Sequence, residues 1–160
     1  MMGKRNTIKR MAAALLRDGE YGQYVALLDM VKRRRLDRDV LFLISIFKDN
    51  VGKRDIMGEY YLLCVIKENA KETTVKAIVE LLFLPEIYIG NCRGTRCLLL
   101  EMLGDIGDCR TVEKIKGSIP LFESVEYVKM DKVDAPERRR EYDMEEIETA
   151  IKKIATRKGC

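Results

Sequence analysis

Carboxylates and thiols are the side chains here that could carry out acid, base or nucleophilic chemistry, because the chain has neither histidine nor tryptophan. Asp105 and Asp108, and Glu145, Glu146 and Glu148, stand close enough in sequence to suggest paired acids for proton transfer. Each group also has a plain structural role. The two aspartates sit at a turn, and the glutamates sit near a helix start, where negative charge is favoured. The five cysteines are Cys64, Cys92, Cys97, Cys109 and Cys160. Cys92, Cys97 and Cys109 could offer three thiolates to zinc, but no histidine completes the set, and Cys97 falls inside an apolar helical pattern. An odd number without a Cys-x-x-Cys pair is a poor disulfide framework, so reduced thiols in the core or on the surface are the expectation. No Gly-x-Ser-x-Gly, Walker-type or Gly-x-Gly-x-x-Gly pattern occurs. The reading is a chain without metal, cofactor or catalytic residues, and not an enzyme.

Cations form the next pattern. The net charge of +4 is uneven: residues 1 to 54 hold thirteen Lys/Arg against six Asp/Glu, and the remainder holds seventeen against twenty. Within the basic end, Lys32-Arg33-Arg34-Arg35, with Arg38 just beyond, is the sharpest run, and Lys9 and Arg10 could join it in one patch. Arginine suits bidentate contact with carboxylate or phosphate. A solvated helix face, with cations placed near a helix C-terminus, accounts for the same run without a ligand.

The elements that must position these residues are helices. Apolar residues recur at three- and four-residue spacing in Ile8, Met11, Ala12, Leu15; in Tyr21, Tyr24, Val25, Leu28, Val31; in Ile56, Tyr60, Leu63, Cys64; in Leu99, Met102, Leu103, Ile106; and in Ile147, Ala150, Ile151, Ile154. The stretch Val40 to Phe47 is apolar enough for a buried strand, but Asp37 as N-cap, Asn50 and Gly52 as a stop, and the lack of a pairing strand favour helix. Eight helices are predicted, at about 4–17, 20–35, 38–49, 53–69, 72–84, 93–106, 109–118 and 144–157, in four pairs. A shift of 37 positions lays Leu62, Val65 and Ile66 on Leu99, Met102 and Leu103, and Val75, Ile78 and Leu82 on Val112, Ile115 and Ile119. Such a period marks a solenoid, whose helix pairs hide their apolar faces only by stacking.

The segment Leu99 to Val112, with Leu-Gly-Asp-Ile-Gly-Asp at Leu103 to Asp108, resembles the HEAT-like repeats of the phycobilisome-lyase type. In such a turn Gly107 closes one helix in the left-handed conformation and Asp108 caps the next. The resemblance implies a right-handed α-α superhelix, a HEAT-like solenoid of about four helix pairs, whose second helices line a concave binding face. Outward polar residues on those helices, such as Arg33, Arg54, Arg93, Arg96 and Glu59, are then the expected contacts, with Arg93 and Arg96 sharing a face. Two enzyme classes use such repeats, and both need residues absent here: histidines for the di-iron hydroxylase, tryptophan for the alkylpurine glycosylase. An accessory role to an enzyme, in the lyase manner, is a further alternative.

The expected organisation is a single domain over residues 1–160 with an irregular insertion at about 120–143, a surface excursion or disordered stretch with a hairpin as the alternative. Asp143 to Glu146 reads as a capping box that restarts the final helix. No window is apolar enough to span a bilayer, and the basic start lacks a secretion signal, so cytoplasmic residence and no membrane partner are expected. The expected function is a scaffold or adaptor that binds a protein partner, with Lys9, Arg10, Arg33, Arg34, Arg35, Arg54, Arg93 and Arg96 as contacts. A nucleic-acid-binding module using the basic third is the alternative, disfavoured by the scarcity of aromatic stacking platforms.

Overall fold

The computed structural model describes residues 2–53, 56–89, 92–125 and 136–160, and these are all-helical. Among them lie eight α-helices: α1 (Met2–Asp18), α2 (Tyr21–Arg34), α3 (Asp37–Asn50), α4 (Ile56–Asn69), α5 (Val75–Leu82), α6 (Arg93–Ile106), α7 (Cys109–Glu123) and α8 (Pro136–Lys158). Two 3-10 turns, Glu72–Thr74 and Pro85–Tyr88, accompany them. None of the described helices is long and apolar enough to cross a membrane. The chain divides into two compact units, Met1–Ala77 and Ile78–Cys160, with the division passing through α5.

In the first unit, residues 40 to 47 are helical because Val40, Leu43, Ile44 and Phe47, at helical spacing, are the buried ones. Asp37 is the first residue of α3 rather than its cap. Leu36 holds the cap position, and the Asp37 carboxylate instead accepts from Lys71 Nζ at 2.8 Å and Thr73 Oγ1 at 2.7 Å. Helix α4 packs on α1, α2 and α3 and buries Leu62, Leu63, Val65 and Ile66. Helices α2 and α4 run parallel, since Tyr24 meets Tyr61 and, further along both, Lys32 meets Glu68. The contact of α4 with α1 is backbone-close: a Cβ added at Gly58 would run into the Leu15 carbonyl and stand 2.8 Å from the Leu16 Cα.

In the second unit, α6 and α8 are parallel, with Arg93 meeting Glu146 at one end and Asp105 meeting Lys153 at the other. Of the residues matched by the 37-position shift, Leu62, Val65 and Ile66 in α4 and Leu99, Met102 and Leu103 in α6 are all buried, as are Ile78 and Ile115, whereas Val75 with Val112 and Leu82 with Ile119 differ in burial. Asp108 caps α7 as expected, its carboxylate accepting the Thr111 N–H at 2.9 Å while its own N–H donates to Thr111 Oγ1 at 3.0 Å. Gly107, however, is extended, with φ −69° and ψ 168°, not left-handed. Its requirement is space, because a Cβ there would lie 2.8 Å from Thr111 Cγ2 and 3.0 Å from Ile154 Cδ1.

Helix enters both ends of the stretch expected to be irregular at about 120–143. Helix α7 continues through Pro120 to Glu123, and α8 starts at Pro136, while residues 126–135 lie outside the described residues. A proline inside a helix removes the donor for the carbonyl four residues earlier. Here both Lys116 and Pro120 face solvent, where that loss is mild. Pro136 acts as a helix starter, since at the first helical position its missing N–H would have no intrahelical partner anyway. Asp143 is therefore two turns inside α8 instead of capping it.

The expectation of reduced thiols is overturned for one pair: Cys109, the first residue of α7, is disulfide-bonded to Cys160, with 5.9 Å between the Cα atoms. Gly159, at φ 74°, turns the chain after α8 toward the start of α7. A separation of 51 residues hides such a pairing from spacing rules. Cys64, Cys92 and Cys97 remain thiols.

Two outcomes follow for stability. Gly58→Ala should destabilise by about 1–3 kcal/mol or more through overpacking against backbone, whereas Gly22→Ala, with nothing within 4 Å of the added Cβ, should stabilise by about 0.5–1 kcal/mol. Urea unfolding of both variants checks the contrast. Closing a loop of this length is worth about 2–4 kcal/mol, so Cys160→Ser, or dithiothreitol on the native chain, should lower the melting temperature, and dithiothreitol should leave the Cys160→Ser variant unchanged.

Candidate docking surface

The cations singled out in the sequence do not form one cluster. Successive helical residues point about 100° apart, and the run 32–35 divides between two faces, Lys32 with Arg35 and Arg33 with Arg34. Lys32 reaches Glu68 on α4 at 3.4 Å. Arg33 is exposed and lines a groove of about 470 Å³ with Thr7, Ala26 and Met30. Arg34 makes two hydrogen bonds to the buried Asp39 carboxylate, a link that pins the end of α2 to the start of α3. Arg35 ends α2 in the left-handed conformation, φ 52°, its N–H donating to the Val31 carbonyl at 3.1 Å. Lys9 and Arg10 are exposed on α1, and Arg54 lies outside the described residues.

Arg93 and Arg96 share a face, as their spacing predicts, but that face is turned to α8 rather than to solvent. Arg96, expected to point away from the core, is fully buried: it donates to the Ile87 carbonyl at 2.9 Å and to Asp143 at 3.3 Å, with the Tyr88 and Phe122 rings about it. Arg93 is partly exposed and meets Glu146 at 3.2 Å and Asp143 at 3.7 Å. Burial lifts the Asp143 carboxyl above the ordinary range despite the two guanidinium groups. Burying a charge is costly without a partner, so a guanidinium inside the second unit requires this carboxylate opposite it. Glu59, also expected to face outward, is buried and accepts the Gly52 N–H at 2.8 Å.

Three of the five carboxylates considered for acid–base work have structural partners, and Glu145 and Glu148 are exposed on α8. Asp105 binds Lys153 at 3.1 Å, Asp108 caps α7, and Glu146 holds Arg93. Burial, then a hydrogen bond with Glu146, pushes the Cys97 thiol up to about 12, which keeps it protonated. Among the described residues no group of three or more Cys, Asp or Glu is arranged to hold a metal ion.

A different surface stands out. Of the apolar stripe Tyr21, Tyr24, Val25, Leu28, Val31 of α2, only Val31 is buried. Burial in α2 falls on Leu27 and Val31, leaving Tyr21 65% and Val25 37% exposed. On α4 the core takes Leu62, Leu63, Val65 and Ile66, leaving Ile56, Met57 and Tyr60 exposed. The parallel packing of α2 and α4 gathers four tyrosines into one strip. Ring centroids are 6.2 Å apart for Tyr60 and Tyr61, 5.2 Å for Tyr61 and Tyr24, and 5.6 Å for Tyr24 and Tyr21. Tyr24 and Tyr61 are stacked, and Tyr21 meets Tyr61 edge-on at 6.1 Å. Burial, together with nearby Cys64, Glu68, Tyr21 and Tyr60, raises the Tyr24 hydroxyl above its ordinary 10. The sequence signal was present, since the tyrosines recur at helical spacing, but an aromatic stripe reads first as core.

Comparison with known proteins finds no match to a family model, a curated protein or a solved structure.

Tyr24 and Tyr88 both hold their protons more tightly in the folded chain, mainly through burial, and the Tyr88 hydroxyl also donates to the Leu82 carbonyl at 2.6 Å. The unfolded chain therefore loses these protons first, and stability present below about pH 10 should fall as pH rises beyond it. Tyrosinate absorbance at alkaline pH should show groups that titrate late and are released on unfolding, with Tyr24→Phe and Tyr88→Phe each removing one.

Proposed function

We propose that the chain is a non-catalytic scaffold or adaptor that binds a protein partner through the face formed by α2 and α4. The carrying observation is the strip Tyr60, Tyr61, Tyr24 and Tyr21 in successive ring contact, with Tyr21 and Tyr60 exposed and Tyr24 and Tyr61 half-buried between them. Tyrosine offers a large, rigid contact area with a hydroxyl for hydrogen bonding, and it is among the residues that dominate binding energy at protein interfaces. Contiguous exposed apolar surface of this kind marks interaction sites in water-exposed proteins. The architecture we propose for the helices is HEAT-like stacking of helix pairs, with α2 and α4 as second helices. The parallel neighbours α2 and α4, the parallel neighbours α6 and α8, and the matched core residues of α4 and α6 support it.

The alternative is nucleic-acid binding by the first unit, which holds sixteen Lys/Arg against ten Asp/Glu. Against it, the run 32–35 is dispersed, with Arg34 committed to Asp39 and Lys32 to Glu68. Affinity for a nucleic acid grows with the number of phosphates that free cations neutralise.

A photoreactive benzophenone side chain placed at Tyr21 or Tyr60 should cross-link a protein in the native cell, and one at the exposed Lys114 of α7 should not. The double substitution Tyr21→Ala/Tyr60→Ala should weaken recovery of that protein by about thirtyfold, the effect of losing two anchor residues worth over about 1 kcal/mol each. Both side chains are exposed, so the melting temperature should change little. Cross-links of equal strength at all three positions, recovery unaffected by the double substitution, or cross-links to nucleic acid would each defeat the proposal.

A further inference from the structure

The tyrosine strip does not end in open surface. Along α2 and α4 it leads to the Lys32–Glu68 pair, and Glu68 is close enough to Tyr24 to act on its hydroxyl. Lys32 and Glu68 also line a recess of about 510 Å³ at the C-terminal ends of these helices, together with Arg35, Asp37 and Lys71. Its apolar floor includes Val31, Leu36 and Val40. The recess therefore holds three cations and two carboxylates. Glu68 is paired with Lys32, and Asp37 with Lys71 and Thr73. Arg35 is exposed and has no carboxylate partner among the described residues.

We infer that this recess and the adjoining strip take an acidic peptide segment, with apolar side chains of the segment against Tyr21, Tyr24, Tyr60 and Tyr61 and an Asp or Glu carboxylate on Arg35. The inference rests on the protein-docking reading and specifies the partner's chemistry. Three features select an acidic occupant. The recess has one cation in excess. The excess cation is arginine, whose planar fork binds a carboxylate through two parallel hydrogen bonds. The unit as a whole carries sixteen cations against ten anions, so an acidic segment approaches down the potential and a basic one is repelled. Two tyrosines at the strip's exposed end, Tyr21 and Tyr60, supply the apolar half of the contact.

The position of Arg35 gives a clean variant. At φ 52° glycine is easier to accommodate than arginine, so Arg35→Gly removes the guanidinium while retaining or raising stability. The probe is a displayed library of random 15-residue peptides selected on the full chain. Winners are then synthesised with acetylated and amidated ends, so that only side chains carry charge. Selected peptides should combine aromatic or aliphatic residues with Asp or Glu. Their affinity should fall tenfold or more in Arg35→Gly and in Tyr21→Ala/Tyr60→Ala, remain unchanged in Arg38→Gln, and weaken with added salt. Peptides that depend on the tyrosines but show no acidic enrichment, or that ignore Arg35→Gly, would overturn this inference and leave the docking reading intact. Peptides indifferent to all of these substitutions, or no binder tighter than about 100 μM, would sink both.

Discussion

The packing of the first unit depends on how closely α4 approaches α1. Gly58 lets the two backbones nearly touch at Leu15 and Leu16, and that approach lets α4 reach α1, α2 and α3 at once. A helix serving three neighbours must present a wide apolar arc. Leu62, Leu63, Val65 and Ile66 form it, spanning about 160° at about 100° per residue. What remains of α4, the arc with Ile56, Met57, Tyr60 and Tyr61, is then joined by the corresponding arc of α2 because the two helices lie parallel. The tyrosine strip is thus a by-product of the core: the geometry that fills the interior also sets four rings side by side at its edge, Tyr24 and Tyr61 half-buried and Tyr21 and Tyr60 exposed.

The second unit settles a different constraint. Arg96 is buried beside the rings of Tyr88 and Phe122, and its charge is met from α8 by Asp143. Removing either partner would strand a buried charge, so the pair fixes the register of α8 against α6 even if its net contribution to stability is small. Lys153 on Asp105, and Arg157 on the carbonyls of Gly104 and Gly107, continue that register to the far end of the helices.

Much of this fold was legible in the sequence. Apolar periodicity located five of the eight helices among the described residues, flanking cap and stop residues decided the helix over 40 to 47, and the 37-position offset paired residues of α4 and α6 that prove equally buried. Local chemistry placed the Asp108 cap. The misreadings have a common cause, which is that spacing describes one helix at a time. Whether Tyr21 and Tyr60 face a neighbour or water is decided by which helices surround them. Arg96 points inward only because Asp143 lies opposite, 47 residues away. The run 32–35 looks like one patch in a line of text and divides between two faces in the structure, Lys32 with Arg35 and Arg33 with Arg34. For the candidate site, the sequence supplied the cations and the tyrosines but not their arrangement: Lys32 and Arg35 border one recess with Lys71, while Arg34 is absorbed into structure.

The link between Cys109 and Cys160 makes α7, α8 and everything between them a covalent ring. A single cut in the backbone anywhere inside that ring opens it without producing two molecules. The chain would keep its full mass on a non-reducing gel and separate into pieces only under reduction. Damage inside this ring is therefore retained rather than shed, and the cut ends stay within reach of each other for as long as the sulfur bridge persists.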